Sequence, residues 1–221
     1  MSAAFAHRPH AVRHAALTLT VDGLAVDRGG RRVLSGVGFV LEGGEALIVT
    51  GRNGVGKSTL LRALAGLLPQ REGRVTLKGA EASDLAAYAH YLAHADGLKA
   101  ALTARENLEF WGAYLAHESG PELSRTPEEA LAAVGLPHVA QAPVGVLSAG
   151  QKRRVALARL LVAARPLWLL DEPLTALDAA SRLQFAQVMR DHCAQGGMIV
   201  AATHEPIGLE DARSLPLGAS S

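Results

Sequence analysis

The chain has 221 residues, 49% of them hydrophobic, which suffices for one large domain or a core domain with a subdomain. Its 22 Lys and Arg residues against 21 Asp and Glu residues give a formal net charge of +1, so charge gives no reason to expect nucleic acid as the main partner. The single cysteine, Cys193, excludes an intrachain disulfide, and no apolar run approaches the roughly 18 residues of a membrane span. Residues 1–16 lack the apolar core of a secretory signal, and we expect a disordered extension there rather than a transit segment.

The first 80 residues alternate short apolar segments with glycine-rich turns. Alternating apolar and polar residues predict strands at 17–21 (continued at 24–26), 33–41 and 74–78, with a turn at 27–30. Together they predict an antiparallel β layer.

Residues 51–59 match the P-loop pattern, Gly-x-x-x-x-Gly-Lys-Ser/Thr, between a predicted strand at 45–50 and a predicted helix at 59–66. Glycines let backbone N–H groups converge on phosphate oxygens, and the helix N-terminus favours an anion. Lys57 adds a mobile positive charge for the β- and γ-phosphates, and the Ser58 hydroxyl suits Mg²⁺. The predicted nucleotide-binding residues of this loop are Gly51, Arg52, Asn53, Gly54, Val55, Gly56, Lys57, Ser58 and Thr59.

Residues 98–147 carry mainly helical signals. A capping box at 103–106 precedes one helix, and a second helix begins at 126–129 with proline at its first position. We predict a helical subdomain at 98–147, between a first core part at 17–97 and the rest of the core at 148–221.

A short apolar strand at 167–170 runs into two adjacent acidic residues. Asp171 occupies the place where a P-loop enzyme puts its metal-supporting acid, and Glu172 can orient and deprotonate an attacking water. The alternative is a solvated turn, which the four preceding apolar residues and the following proline disfavour.

The remaining segments predict the rest of an α/β core. Asp178 should cap a helix whose apolar face includes Leu183, Ala186 and Met189, and a buried strand at 198–203 should follow. The tail at 214–221 has no strong signal. The strand–helix alternation predicts a parallel sheet with ligands at the carboxyl ends of its strands.

A helix start at 148–151 ends 20 residues before Asp171, with Ser148 as N-cap and Gln151 at the capping-box position. This segment resembles the signature motif of the ATP-binding cassette (ABC) ATPases, one substitution from Leu-Ser-Gly-Gly-Gln. Its residues are Leu147, Ser148, Ala149, Gly150 and Gln151. The resemblance implies an α/β fold: a P-loop NTPase core of ABC ATPase type with an antiparallel β layer and a helical subdomain, one ABC transporter domain over 17–221.

The resemblance also implies ATP and Mg²⁺ as cofactors and a head-to-tail dimer with a second copy of the chain. In that dimer the signature segment of one copy contacts the γ-phosphate bound by the other. Glu172, His204 and Lys57 are the implied catalytic residues, with His204 as the switch histidine, and Asp178 is the implied dimer-loop acid. Ser58 and Asp171 are the implied metal ligands.

Two positions depart from the family pattern. Arg28 falls where an aromatic residue would stack on adenine, and a guanidinium can also stack on a base. His94 falls where a glutamine would meet the metal or water, and an imidazole can still do so. The alternative for each is a purely structural role.

Further segments resemble one subfamily, the ATP-binding subunit of the haem exporter used in cytochrome c biogenesis. These are Arg28, His94, 102–111, 147–179 and 203–206, within a similarity that covers about residues 17–217. The resemblance implies a peripheral ATPase on the cytoplasmic face of the inner membrane that docks on separate transmembrane subunits. It would drive haem delivery or release of the haem chaperone.

The exposed side of 98–135, with Trp111 and Tyr114, is the candidate docking surface, and subdomain core is its alternative.

A cassette ATPase that exports another solute, such as a lipid, drug or peptide, shares every motif. A nucleic-acid-processing cassette protein would need a coiled-coil insertion, a tandem second cassette or a basic face, and a kinase or GTPase would leave the signature segment unexplained.

Overall fold

The computed structural model describes residues 16–80, 85–116 and 124–218. The extension predicted at 1–16 therefore lies outside the described residues, apart from Ala16. The strands are β1 Thr18–Arg28, β2 Arg31–Glu42, β3 Ala46–Thr50, β4 Glu72–Lys78, β5 Ala89–Leu92, β6 Leu167–Asp171, β7 Met198–Ala202 and β8 Arg213–Pro216. The helices are α1 Lys57–Leu64, α2 Ala104–Ala116, α3 Pro127–Ala133, α4 Ala149–Val162 and α5 Ala179–Ala194.

The antiparallel β layer predicted from the first 80 residues is confirmed. Its strands lie in the order β2-β1-β4, and both pairings are antiparallel. The hairpin between β1 and β2 turns at Gly29 and Gly30, whose φ angles of 58° and 75° are those that glycine adopts without steric cost. This glycine pair therefore sets the turn where the sequence predicted it.

The parallel sheet is also confirmed, with the order β5-β6-β7-β3-β8 and parallel pairing throughout. Two of its strands were not predicted. β5 is only four residues long, and β8 lies at the sheet edge in the tail, where its residues are mostly exposed. Neither segment has a strand-like hydrophobic pattern of useful length, and β8 is placed by backbone pairing with β3.

Capping explains where the helices begin. Ser148 N–H donates to Gln151 Oε1 at 2.9 Å, and Gln151 N–H donates to Ser148 Oγ at 3.2 Å, so the predicted capping box starts α4. The boxes at 103–106 and 126–129 close in the same way before α2 and α3. α1 begins at Lys57 rather than at the predicted 59, because Gly56, with φ 117°, serves as its N-cap.

One prediction for α5 is wrong. Ala186 and Met189 are buried as expected, but the Leu183 side chain is 72% exposed. Phe185, 2% exposed, lies on the buried face instead. The helix turns about 100° per residue, which places Leu183 on the side opposite Phe185.

The parallel sheet separates two hydrophobic clusters. Along β6, Leu167 and Leu169 pack with α1 and the antiparallel layer, whereas Trp168 and Leu170 pack with α4, α5 and the helical segment. The alternation of side chains along a strand causes this division. No helix within the described ranges is both long and apolar enough to cross a bilayer.

Candidate active site

The P-loop connects β3 to α1 and holds the lysine that the sequence singled out. Gly51 has φ 134°, and a Cβ there would lie 2.6 Å from Leu217 O, so only glycine fits. Lys57 is 8% exposed, and its Nζ donates to Gly51 O at 2.8 Å and Arg52 O at 3.4 Å. The ammonium group is thus held at the mouth of the loop by carbonyl oxygens.

The predicted metal-supporting acid meets the predicted metal-binding hydroxyl. Ser58 Oγ donates to Asp171 Oδ1 at 3.0 Å, and Asp171, the last residue of β6, is 6% exposed. Both groups offer hard oxygen ligands of the kind that Mg²⁺ prefers. The donor set therefore fits a magnesium ion, completed by phosphate oxygens and water.

Glu172 has an uncommon backbone conformation. Its φ is 45°, in the left-handed region that residues with a Cβ seldom adopt. Its N–H donates to Ala202 O at the end of β7, at 2.9 Å. Glu172 lines the same cleft as Asp171.

His204 follows β7 and reaches the P-loop. Its Nε2 lies 2.8 Å from Lys57 Nζ and 3.0 Å from Asn53 Oδ1. The residue as a whole is exposed. The fold thus places the predicted switch histidine beside the phosphate-binding loop, where it can exchange these partners for a phosphate oxygen.

Lys57, Ser58, Asp171 and Glu172 border one cleft of about 430 Å³ at the carboxyl ends of β3 and β6, and His204 contacts two of its lining residues, Asn53 and Lys57. Arg28 and His94, the two departures from the family pattern, also lie in its wall. The residues that line it are Arg28, Val33, Asn53, Gly54, Gly56, Lys57, Ser58, Thr59, His94, Asp171 and Glu172.

The signature segment lies elsewhere. Ser148 and Ala149 are exposed at the start of α4, Leu147 is buried, and none of the described residues that line the cleft comes from 147–151. Asp178 is also exposed; its Oδ1 accepts from Ser181 N–H at 2.8 Å, and this hydrogen bond lowers the pKa of the Asp178 carboxyl. These groups would have to act on another molecule.

Sequence reasoning missed Arg153. This residue of α4 is 3% exposed and donates hydrogen bonds to the backbone of both acidic residues, Asp171 and Glu172. A signal was available, because Arg153 precedes the buried Leu157 and Leu160 by four and seven residues and so lies on the apolar stripe of its helix.

The aromatic residues of α2 divide between core and surface. Trp111 is partly buried, donates to Gly97 O at 3.2 Å and lies 4.4 Å from the guanidinium of Arg159. Phe110 and Tyr114 stack with ring centroids 6.2 Å apart and are 44% and 67% exposed. Trp111 therefore fits the alternative of a subdomain core residue, whereas Phe110 and Tyr114 fit the candidate docking surface.

Comparison with known proteins adds independent evidence. The family described as ABC transporter matches residues 34–175. The cytochrome c biogenesis ATP-binding export protein CcmA of Chelativorans sp. is 51% identical over 207 residues, covering 93% of this chain and 100% of that protein. The protein of the same name from Mesorhizobium japonicum is 53% identical over 199 residues, covering 89% and 96%.

Solved structures support the same fold. An ATP-binding subunit of an ABC transporter matches with a TM-score of 0.77 and 25% identity, covering 90% of this chain and 85% of that one. An ABC transporter ATP-binding protein from Pyrococcus furiosus matches with a TM-score of 0.75 and 20% identity, covering 90% and 97%. With the P-loop and the acidic pair at one cleft and His204 in contact with Lys57 and Asn53 of that loop, the chain belongs to the ATP-hydrolysing subunits of ABC transporters, in the group of the cytochrome c biogenesis ATP-binding export proteins.

Proposed function

We propose that this chain is the ATPase of the haem exporter of cytochrome c biogenesis, where it drives haem delivery or release of the haem chaperone. The observation that carries the proposal is the identity of about half of all residues, 51% over 93% of the chain, to a relative named for export in cytochrome c biogenesis. Only the family resemblance points to haem as the cargo. No residue of the described cleft is specific for haem.

The first part of the proposed mechanism is nucleotide binding. The P-loop amides and Lys57 would bind the β- and γ-phosphates, and Lys57 Nζ would leave its present partner His204 to do so. Ser58 and Asp171 would hold Mg²⁺. When bound, that ion supplies Lewis-acid neutralisation of the phosphate charge.

The second part is hydrolysis. The Glu172 carboxylate accepts a proton from water, and the water oxygen forms a bond to the γ-phosphorus. The bond from the γ-phosphorus to the bridging oxygen breaks, and ADP leaves with that electron pair. His204 would donate to a γ-phosphate oxygen, while Arg28 would stack on the adenine and His94 would orient the water.

The active unit in this proposal contains two copies of the chain. The signature segment, which exposes Ser148 and Ala149 and lies outside the cleft, would complete the site of the other copy. Ser148 and Gly150 would contact the γ-phosphate there, because a helix N-terminus favours an anion. Asp178 would line the contact between the two copies.

Separate transmembrane subunits would dock on the exposed aromatic face of α2. We define this face by Phe110 and Tyr114; Tyr114 and the exposed Leu67 also line one groove of about 500 Å³. Exposed large apolar side chains beside a groove are typical of a protein interface. The chain would thus be a peripheral protein on the cytoplasmic face of the inner membrane.

One experiment tests the cargo and the catalytic role together. In a strain that lacks its own exporter ATPase but keeps the membrane subunits, this chain should restore cytochrome c maturation. Glu172→Gln should not restore it, and the purified variant should bind ATP normally but hydrolyse it on the order of 10²-fold more slowly.

The exposed Leu183→Ser variant serves as the control and should behave like the wild type. Failure of the wild-type chain despite ATPase activity and membrane recruitment would favour export of another solute. Near-normal turnover of Glu172→Gln would remove Glu172 from the role of base.

A further inference from the structure

Arg153 is a buried cation at the junction of three segments. Its side chain is 3% exposed, and a buried charge is tolerated only where hydrogen bonds and an opposite charge compensate for lost hydration. It lies in the second turn of α4, just after the signature segment. Its guanidinium is planar, with N–H donors in a fixed fork, and so can bind several acceptors at once.

One side of this guanidinium binds the backbone after β6. Nη2 donates to Glu172 O at 2.8 Å and to Asp171 O at 3.1 Å, and Nε donates to Pro173 O at 3.2 Å. Three consecutive carbonyls are therefore gathered on one side chain. This arrangement curls the chain at the point where Glu172 has its φ of 45°.

The other side binds the loop after β5. Nη1 donates to Ala93 O and to Asp96 Oδ1, both at 3.0 Å. Ala93 and Asp96 flank His94, which lines the same cleft as the acidic pair. Arg153 thus connects the acidic pair and the His94 loop, both of which border the cleft, to the helix that carries the signature segment.

We propose that Arg153 is a positioning residue for ATP hydrolysis: it holds the Glu172 backbone in its left-handed turn and sets its distance from the His94 loop. The proposal rests on the proposed role of Glu172 as the base. An apolar residue at 153 would leave carbonyls of Asp171, Glu172 and Pro173 without this donor, and the turn would relax toward a less strained conformation. A displacement of the carboxylate by about 1 Å can lower a rate on the order of 10²-fold.

The test compares Arg153→Met with Arg159→Met in steady-state ATPase assays. Arg159 is a matched control, because it is also buried on α4 but donates to Tyr91 O and packs under Trp111. We expect Arg153→Met to lower kcat at least tenfold with KM for ATP within about threefold of wild type. Arg159→Met should keep both constants within about threefold, whatever it does to stability.

Two further variants make the result decisive. Arg153→Lys keeps the charge and the pairing with Asp96, but a single ammonium cannot bind both the acidic pair and the His94 loop, so its kcat should also fall severalfold with a normal KM. In the Glu172→Gln background, Arg153→Met should slow the residual hydrolysis no further, because the carboxylate it positions is already absent. If Arg153→Met does not fold, Arg153→Lys gives the answer.

The positioning role would be overturned if the Arg153 variants kept the wild-type kcat, or if they changed only KM for ATP. So would an additional tenfold loss in the Glu172→Gln background. The proposed base role fails separately, if Glu172→Gln alone retains turnover.

Discussion

His90 is a buried histidine whose ionisation opposes folding. It lies in β5 with 2% exposure, and its Nε2–H donates to Ala163 O at 2.6 Å. Burial lowers the pKa of His90 to about 3; the hydrogen bond to Ala163 opposes this shift, and the charges of Arg165 and Arg159 add to it. The ring is therefore neutral in the folded protein at any pH near neutrality.

The consequence is a loss of stability in mild acid. The ordinary pKa of 6.5 in the unfolded chain lies above the folded value, so the unfolded state takes up the proton first as pH falls. Stability is lost from about pH 6.5 downward, and this residue should contribute about 1.4 kcal/mol of loss between pH 7.5 and 5.5.

Urea unfolding at the two pH values checks this. Between the two pH values, the free energy of unfolding of His90→Gln should fall by about 1.4 kcal/mol less than that of the wild type. The variant at the exposed His138, His138→Gln, should show the same fall as the wild type. An unchanged pH dependence in His90→Gln would refute the assignment.

At the level of single elements, α2 has two kinds of face. Leu108 is fully buried against the helical core, whereas Phe110 and Tyr114 stack on each other in solvent. A soluble helix normally turns charged or polar side chains outward, and this is why we propose the exposed aromatic pair as the docking surface.

Loss of that pair should therefore weaken membrane recruitment without harming the fold. We expect Phe110→Ser combined with Tyr114→Ser to lower co-purification with the transmembrane subunits at least tenfold, with melting temperature and ATP binding close to wild type. Val146→Ser is a suitable control, since Val146 is 76% exposed outside this helix. Recruitment that survives the double change would exclude the α2 face as the docking surface.

At the scale of the whole molecule, each copy holds only part of the proposed site. The cleft contains the P-loop, Asp171 and Glu172, while the exposed start of α4 contributes nothing to it within the described chain. Two copies arranged head to tail would bring these parts together, and slow hydrolysis should preserve that state.

Glu172→Gln should therefore dimerise when ATP is added, with a doubled mass by light scattering after size exclusion. Adding Ala149→Arg should abolish the dimer, because the long side chain would stand where the signature segment meets the partner's nucleotide. Leu183→Arg, on an exposed position of α5, should leave the dimer intact. A strictly monomeric Glu172→Gln with ATP, even beside the membrane subunits, would refute the nucleotide sandwich.

The features that the sequence determined by itself are local ones. The P-loop, the hairpin turn at Gly29 and Gly30 and the capping box of Ser148 and Gln151 each depend on residues within a few positions of one another. Their chemistry is therefore complete in a short segment, and a pattern of residue types is enough to recognise it.

The features that only tertiary structure decided depend on contacts between distant segments. β8 exists because the tail pairs with β3, and Leu183 points outward because packing selects another face of α5. Arg153 meets Ala93 and the carbonyls after β6 across 60 and about 20 residues of chain. Backbone carbonyls occur in every residue, so no sequence pattern marks which of them a buried arginine will bind.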